Sequence, residues 1–293
     1  MPVSRRQVLL GAVAGTAGLV AGCARPDPVE PPLGRLALRG VASKTVVIPL
    51  PDEGFDPTEV SVPWLQLTAH GVTVVFATPS GQIGAADPRM LSGEGLGRYA
   101  ERMRANAVAR EAHAQMRQSP DFRNPRAYGA LQAADYDALL LPGGHAPETK
   151  VYLESPTLQA FVAEFFASGR PVGAICHGVL LAARSRLPGA ERSVLWGKKT
   201  TALPRHMERL AWKLTRRRLG DYYRTYPTYV QDEVTAALKD PDDFIVGPRG
   251  YERDAPEDLA PGFVVVDGSY VSARWPGDAH RFAHAMLRQL AAA

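Results

Sequence analysis

Arg170-Pro171-Val172-Gly173-Ala174-Ile175-Cys176-His177-Gly178-Val179-Leu180-Leu181-Ala182-Ala183 is the stretch whose reading decides the fold. It reads as a short buried strand that turns at Cys176 into a helix. A cysteine at such a turn sits on a tip, with the first backbone N–H groups of the helix directed at it. Those dipoles favour a thiolate and can hold a developing oxyanion. Ala174 and Gly178, two residues to either side, supply the steric room that a tight strand–nucleophile–helix elbow demands.

The upstream sequence has the same grain. Thr45-Val46-Val47-Ile48-Pro49-Leu50 is a β-branched apolar run and predicts a buried strand. Pro57-Thr58-Glu59 opens a helix to about His70, and Val72–Pro79 is a second strand. Strand, helix and strand with short links make a βαβ unit, hence a parallel sheet. From about 80 to 135 the alternation breaks; an insertion or lid is predicted, with a helix over Leu96–Met116 that could equally be a crossover. Asp137–Leu141 is then a buried strand ending in Pro142-Gly143-Gly144-His145, and Thr157–Ser168 is a helix leading into the elbow.

Past the elbow, Lys199–Leu203 and Phe244–Val246 read as short strands. Helices are predicted from Pro204, over Thr228–Leu238, and over Gly277–Leu290. Phe263–Ala273 is a hairpin around Asp267-Gly268. Lys213–Arg218 is a basic run that most simply forms a solvated face, or rests on anionic headgroups if the protein is membrane-tethered.

Of the 293 residues 45% are hydrophobic and 22% charged, the balance of a soluble globular chain, and the net charge of +4 calls for no nucleic-acid partner. Cys23 and Cys176 are the two cysteines, which excludes a disulfide framework and a Cys-rich zinc site. Seven histidines without paired spacing beside carboxylates predict no metal site, and His145 alone reads as a loop histidine.

Residues 1–23 carry a charged start and a short apolar run, the pattern of an export signal. Ser4-Arg5-Arg6-Gln7-Val8-Leu9 looks like a twin-arginine signal. Val20-Ala21-Gly22-Cys23 resembles a lipobox, which would make Cys23 a lipidation site and the mature protein an exported, membrane-anchored lipoprotein at the cell envelope. An ordinary cleaved signal or an uncleaved anchor is the alternative. Residues 24–44, with Pro26, Pro28, Pro31 and Pro32, read as a tether; the folded domain is expected over 45–293.

Taken together, the motifs Thr58-Glu59-Val60-Ser61-Val62-Pro63, Asp135–Ala138 leading to Pro142-Gly143-Gly144-His145, Ala174-Ile175-Cys176-His177-Gly178, and Pro276-Gly277-Asp278-Ala279 resemble the ThiJ/PfpI superfamily of the class I glutamine amidotransferase-like fold. The likeness is strongest to its glyoxalase III and holding-chaperone branch. This resemblance implies an α/β flavodoxin-like three-layer αβα sandwich with a mostly parallel sheet and the helical insertion. It implies a catalytic Cys176 in contact with Glu59, His177 as base or imidazolium, and an oxyanion site at the Gly144 and His177 N–H groups beside Gly143 and His145. Glu208 is the candidate partner for His177, with Asp221, Asp232 and Glu233 competing for the role.

The activity so implied is cofactor-free, cysteine-dependent chemistry on small reactive aldehydes of the glyoxalase III or deglycase type. A cysteine amidase or peptidase of the same fold is the second reading, and a redox-sensing holding chaperone the third. A small-molecule substrate is expected in each enzymatic case, and a homodimer is compatible with the resemblance.

Overall fold

The computed structural model describes residues 40–293. The expected signal, the Cys23 lipidation site and nearly all of the tether lie outside the described residues. Regular structure among the described residues begins ahead of Thr45: Val41–Ser43 forms a short 3-10 turn and Val41 is fully buried. No helix among the described residues is long and apolar enough to cross a membrane.

Seven strands make the main sheet: β1 (Thr45–Pro49), β2 (Thr73–Thr78), β3 (Arg126–Ala127), β4 (Ala138–Leu141), β5 (Val172–Ile175), β6 (Val264–Asp267) and β7 (Tyr270–Ala273). Their spatial order is β3-β2-β1-β4-β5-β7-β6, parallel throughout except for the terminal β6–β7 hairpin. The inner five follow the flavodoxin-like order, which reverses direction next to β1 and leaves a crevice at the carboxyl ends of the strands. The central runs are apolar on both faces because helices cover both; all four residues of β4 and of β5 are buried.

Two groups of helices pack on the sheet. One contains α1 (Pro57–Ala69), α2 (Ala107–Met116) and the C-terminal α7 (Ala279–Ala292); the other contains α3 (Pro156–Ala167), α4 (Gly178–Arg184) and α6 (Val230–Ala236). The expected three-layer α/β sandwich is the observed one. Gly173 in the middle of β5 is required by this packing, since a Cβ there would lie 2.6 Å from Met286 Sδ and 2.8 Å from Phe282 Cζ of α7.

Pro276-Gly277-Asp278-Ala279 opens α7 through a buried ion pair. The Asp278 carboxylate accepts from Arg274 N (3.0 Å), Nε (2.9 Å) and Nη2 (2.7 Å) and from Phe263 N (2.9 Å). A fork of this kind satisfies both charges, which burial would otherwise penalise heavily.

The region 80–135 is largely helical, but it is not the single helix predicted over Leu96–Met116. That span breaks into a 3-10 turn (Gly97–Tyr99), a short helix (Ala100–Met103) and α2. Arg104 turns extended, and the Asn106 side chain accepts the Ala109 N–H at 2.8 Å to start a new helix. The insertion then returns to the sheet as edge strand β3, beside β2.

The strands predicted at Lys199–Leu203 and Phe244–Val246 reduce to one parallel bridge, Thr200 to Phe244. Pro204 caps α5 (Arg205–Leu219) in an extended conformation instead of forming its first turn.

Candidate active site

Cys176 follows β5 directly, with φ 57°, the one positive φ outside glycine among the described residues. A side chain in this left-handed region costs roughly 1–3 kcal/mol and persists only where its surroundings over-determine it. Here they do. The Cys176 N–H donates to Ala273 O (3.1 Å) of β7, and Leu180 N–H closes the first turn of α4 on His177 O (2.9 Å). Gly178 lies so close to the end of β4 that a Cβ would stand 2.1 Å from Leu141 O and 2.6 Å from Pro142 O. Room at this position is thus a backbone-to-backbone requirement.

Glu59 comes from the opposite side of the crevice, in the first turn of α1. Asp56 caps that helix by accepting the N–H groups of Thr58 (2.8 Å) and Glu59 (3.1 Å). The Glu59 carboxyl is fully buried; Oε2 accepts the Gly143 N–H at 2.8 Å. Oε1 has no conventional hydrogen-bond partner, yet it is near enough to the thiol for each group to shift the other.

Burial pushes Glu59 well above the ordinary carboxyl range, with the Asp56 charge adding to the effect. Burial likewise raises the Cys176 thiol, and the Glu59 and Asp56 charges raise it further; the His177 N–H pulls the other way. The pair therefore holds at most one negative charge between its two groups. The thiolate expected from the elbow dipoles is not the resting form, because complete desolvation outweighs the N–H groups of a seven-residue helix.

His177 places Nδ1 3.5 Å from Cys176 Sγ. Its pKa is driven well below the usual value by burial, then by His145 and Arg184, so the ring is neutral at pH 7 and is not the imidazolium of the alternative reading. His145 stacks edge-on against His177 (centroids 5.0 Å apart) and against Tyr223 (4.7 Å), and burial lowers it to about 4. His145 is thus part of the cluster and not a plain loop histidine. The ligand-capable atoms of His145, Cys176 and His177 lie within 4.8 Å of one another, a Cys/His2 set of the kind that binds zinc or copper. Chain spacing carries no hint of it, since the two histidines leave from β4 and β5.

Gly143 and Gly144 form the turn after β4. Among the described residues neither the Gly144 nor the His177 N–H donates to a backbone carbonyl. The Gly143 N–H, by contrast, is taken by Glu59 and is closed to an oxyanion. A Cβ on Gly144 would meet Gly54 O at 2.6 Å, so close approach of the turn after β4 to the short strand Glu53–Phe55 fixes this residue.

Glu208 is not brought to His177. It sits in the first turn of α5, where Oε2 accepts the Val230 N–H at the start of α6 (3.0 Å) and Oε1 stands 3.8 Å from Arg224 Nε. His177 Nε2 has no partner. The competing acids are engaged elsewhere: Asp232 with Arg205, Glu233 with Arg184 and Asp221 with Trp212. The residues the fold brings together here are Cys176, His177 and Glu59, with His145 against His177. Asp56, which the sequence reading passed over, positions Glu59; its place one residue before a Pro at a helix start was the available signal.

A cavity of about 270 Å3 adjoins this cluster. His145, Asp56, Glu208 and Tyr223 line it, whereas Cys176, His177 and Glu59 do not, so His145 belongs both to its wall and to the cluster.

Sheet order, elbow and buried acid define a flavodoxin-like α/β protein with a strained cysteine at the carboxyl end of a central strand. Residues 50–248 match the ThiJ/PfpI family-like profile. The chain belongs to the ThiJ/PfpI family. It is 28% identical over 191 residues to an uncharacterised protein of Schizosaccharomyces pombe, covering 63% of this chain and 67% of that one. It is 26% identical over 166 residues to a deglycase of Pyrococcus abyssi (56% and 68%). The crystal structure of glyoxalase III from Candida albicans superposes with TM-score 0.60 at 19% identity, over 84% of this chain and 97% of that one.

Proposed function

We propose that this protein is a cofactor-free, cysteine-dependent enzyme acting on small reactive aldehydes, of the glyoxalase III or deglycase type. The observation that carries the reading is the strained Cys176 elbow, with a buried, protonatable Glu59 on one side and a neutral His177 on the other. The names of the Pyrococcus and Candida relatives support it.

For an α-oxoaldehyde the steps are as follows. The thiol proton passes to His177 Nδ1 as sulfur bonds to the aldehyde carbon, and returns to the aldehyde oxygen to give a hemithioacetal. The His177 and Gly144 N–H groups face the oxygen while it is negative. Glu59, in its ionised form, takes the remaining hydrogen from that carbon as a proton. The electron pair moves toward the neighbouring carbonyl, and the proton is delivered to its carbon. The hemithioacetal hydroxyl loses its proton as the neighbouring oxygen gains one, leaving a thioester next to an alcohol. Water then cleaves the thioester, releasing a 2-hydroxy acid and the free thiol. Oxidation at one carbon balances reduction at the next, and no redox partner is needed.

A neutral imidazole suits the first step, since it accepts a proton without having to lose one. Incubation with methylglyoxal should yield lactate, and Cys176→Ala should abolish it. Equal, slow consumption by both proteins would overturn the proposal. Release of amine from amide or peptide substrates without lactate would move the chemistry to acyl transfer at the same thiol.

The proposal extends to location. The twin-arginine and lipobox patterns support an exported protein anchored through Cys23, and metabolic labelling with a radioactive fatty acid, lost in Cys23→Ala, tests it.

A further inference from the structure

We propose that the cavity beside the cysteine cluster is a substrate subsite whose anchor is Arg253, so that the substrate is a carbonyl compound bearing an apolar body and an anionic oxygen group, carboxylate or phosphate. This rests on the aldehyde reading for the reaction but not for the binding.

Size is the first argument. About 270 Å3 lies near the lower end of pockets that take drug-sized ligands, roughly 300–1,000 Å3. A three-carbon oxoaldehyde would leave most of it empty. The second is the wall: Met90, Met103, Met207, Leu214, Tyr223 and Trp275 present thioether, aliphatic and aromatic surface, which favours an apolar body over a sugar-like one.

The third argument is the guanidinium. Arg253 lines the cavity and is fixed in place: Nη2 donates to the carbonyls of Met103 (3.5 Å) and Arg104 (3.3 Å), and the group lies over the Trp275 ring at 5.2 Å. Its Nη1 is enclosed and has no hydrogen-bond partner. No carboxylate among the described residues pairs with it within 4 Å. The nearby acids favour the cation through space but do not pair with it: Asp254 accepts the N–H groups of His280 (3.2 Å) and Arg281 (2.7 Å), and Asp56 caps α1. Glu208, the remaining acid of the wall, has Arg224 beside it, while Arg102 adds a second cation to the lining.

An enclosed guanidinium N–H group without an acceptor is costly, and a charge-assisted bond from Nη1 to a ligand oxygen removes that cost. The cavity wall passes through His145, whose ring touches His177, so a ligand anchored at Arg253 has its carbonyl end directed at the cluster only across that ring.

Isothermal titration calorimetry with phenylacetate, phenyl phosphate and the neutral phenylacetamide tests the inference on the intact protein, with no turnover involved. At least one anion should bind about tenfold or more tighter than the amide, as expected for one charge-assisted hydrogen bond. Which anion wins separates a carboxylate from a phosphate. The advantage should shrink to about threefold or less in Arg253→Met and survive in part in Arg253→Lys. Leu214→Trp, which fills the cavity, should weaken all three ligands. Amide binding equal to that of both anions in the wild type, or an anion preference untouched in Arg253→Met, overturns the proposal. If Arg253→Met fails to fold, the wild-type comparison and Arg253→Lys decide it. Lactate formation is read separately, so loss of the aldehyde reaction and loss of the anion site are distinguishable.

Discussion

Gly143 donates its N–H to Glu59 Oε2 at 2.8 Å, and its carbonyl accepts the N–H of Asp56, the cap of the same helix, at 3.0 Å. One glycine at the end of β4 thus clamps the start of α1 at two points and aims the Glu59 carboxyl at Cys176. A Cβ on Gly143 would fall 2.7 Å from His177 N and 2.9 Å from Glu59 Oε2, so no other residue allows three segments to meet here.

Glu59→Gln separates the clamp from the chemistry. The amide oxygen still accepts from Gly143, but the group no longer exchanges a proton. Lactate formation from methylglyoxal should fall by about 100-fold or more, the usual scale for a lost acid–base group. The melting temperature should hold or rise, since a buried carboxyl that resists ionising is replaced by a neutral isostere. A variant that melts much lower with normal activity would make Glu59 a structural residue.

Gly178→Ala attacks the elbow itself. With Leu141 O at 2.1 Å from the added Cβ, either β4 or α4 must move. Overpacking against backbone has no flexible side chain to absorb it, so a loss of about 3 kcal/mol or more is expected. Urea titration followed by circular dichroism measures it; a loss under about 1 kcal/mol would show that the elbow has slack.

Much of this was legible in the chain. The runs at β1, β2, β4 and β5 are apolar on both faces, and that pattern is what a helix-covered parallel sheet requires. Cys176, flanked by Ala174 and Gly178, marked the elbow. Less legible were features that depend on which distant groups meet. Glu208 stands at a helix start like Glu59, and nothing in the local sequence says that one carboxyl turns to Val230 and the other to the thiol. His145 and Arg253 become site residues only because β4 and the loop before β6 converge on one cavity. Burial also reversed the thiolate expected for Cys176 and decided for the neutral base over the imidazolium at His177, and burial is a property of the whole fold.

Glu208 gives the pH dependence of stability a definite sign. Burial lifts it from 4.5 to about 7, partly countered by the Val230 N–H and Arg224. The native state therefore binds a proton between about pH 4.5 and 7 that the unfolded chain has released, and stability contributed by this group is lost as pH rises through that window. Relative to Glu208→Gln, the wild type should lose up to about 3 kcal/mol between pH 5 and pH 8. Paired urea titrations at the two pH values test this. A difference that stays constant, or grows in the wild type's favour, would mean that the carboxylate is stabilised as an ion by Arg224.

Access to Cys176 is the remaining step. The thiol has no exposed surface and does not line the cavity; His145, which belongs to both the cluster and the cavity wall, carries the Tyr223 ring against it on the cavity side. Turnover then requires these rings to move, and Tyr223 is held by its edge contact with Tyr222 (4.9 Å) and by the Tyr222 hydroxyl donating to Asp87. Tyr223→Ala should cost roughly 3 kcal/mol in stability, the scale of removing a buried ring. It should also raise the rate at which iodoacetamide alkylates Cys176 by about tenfold or more, followed by intact mass with near-ultraviolet circular dichroism confirming a folded protein. Tyr222→Phe, which only releases the Asp87 bond, should move the rate the same way by less. Alkylation unchanged in both variants would place the substrate route on the far side of the cluster, past Glu59, and leave Tyr223 a packing residue.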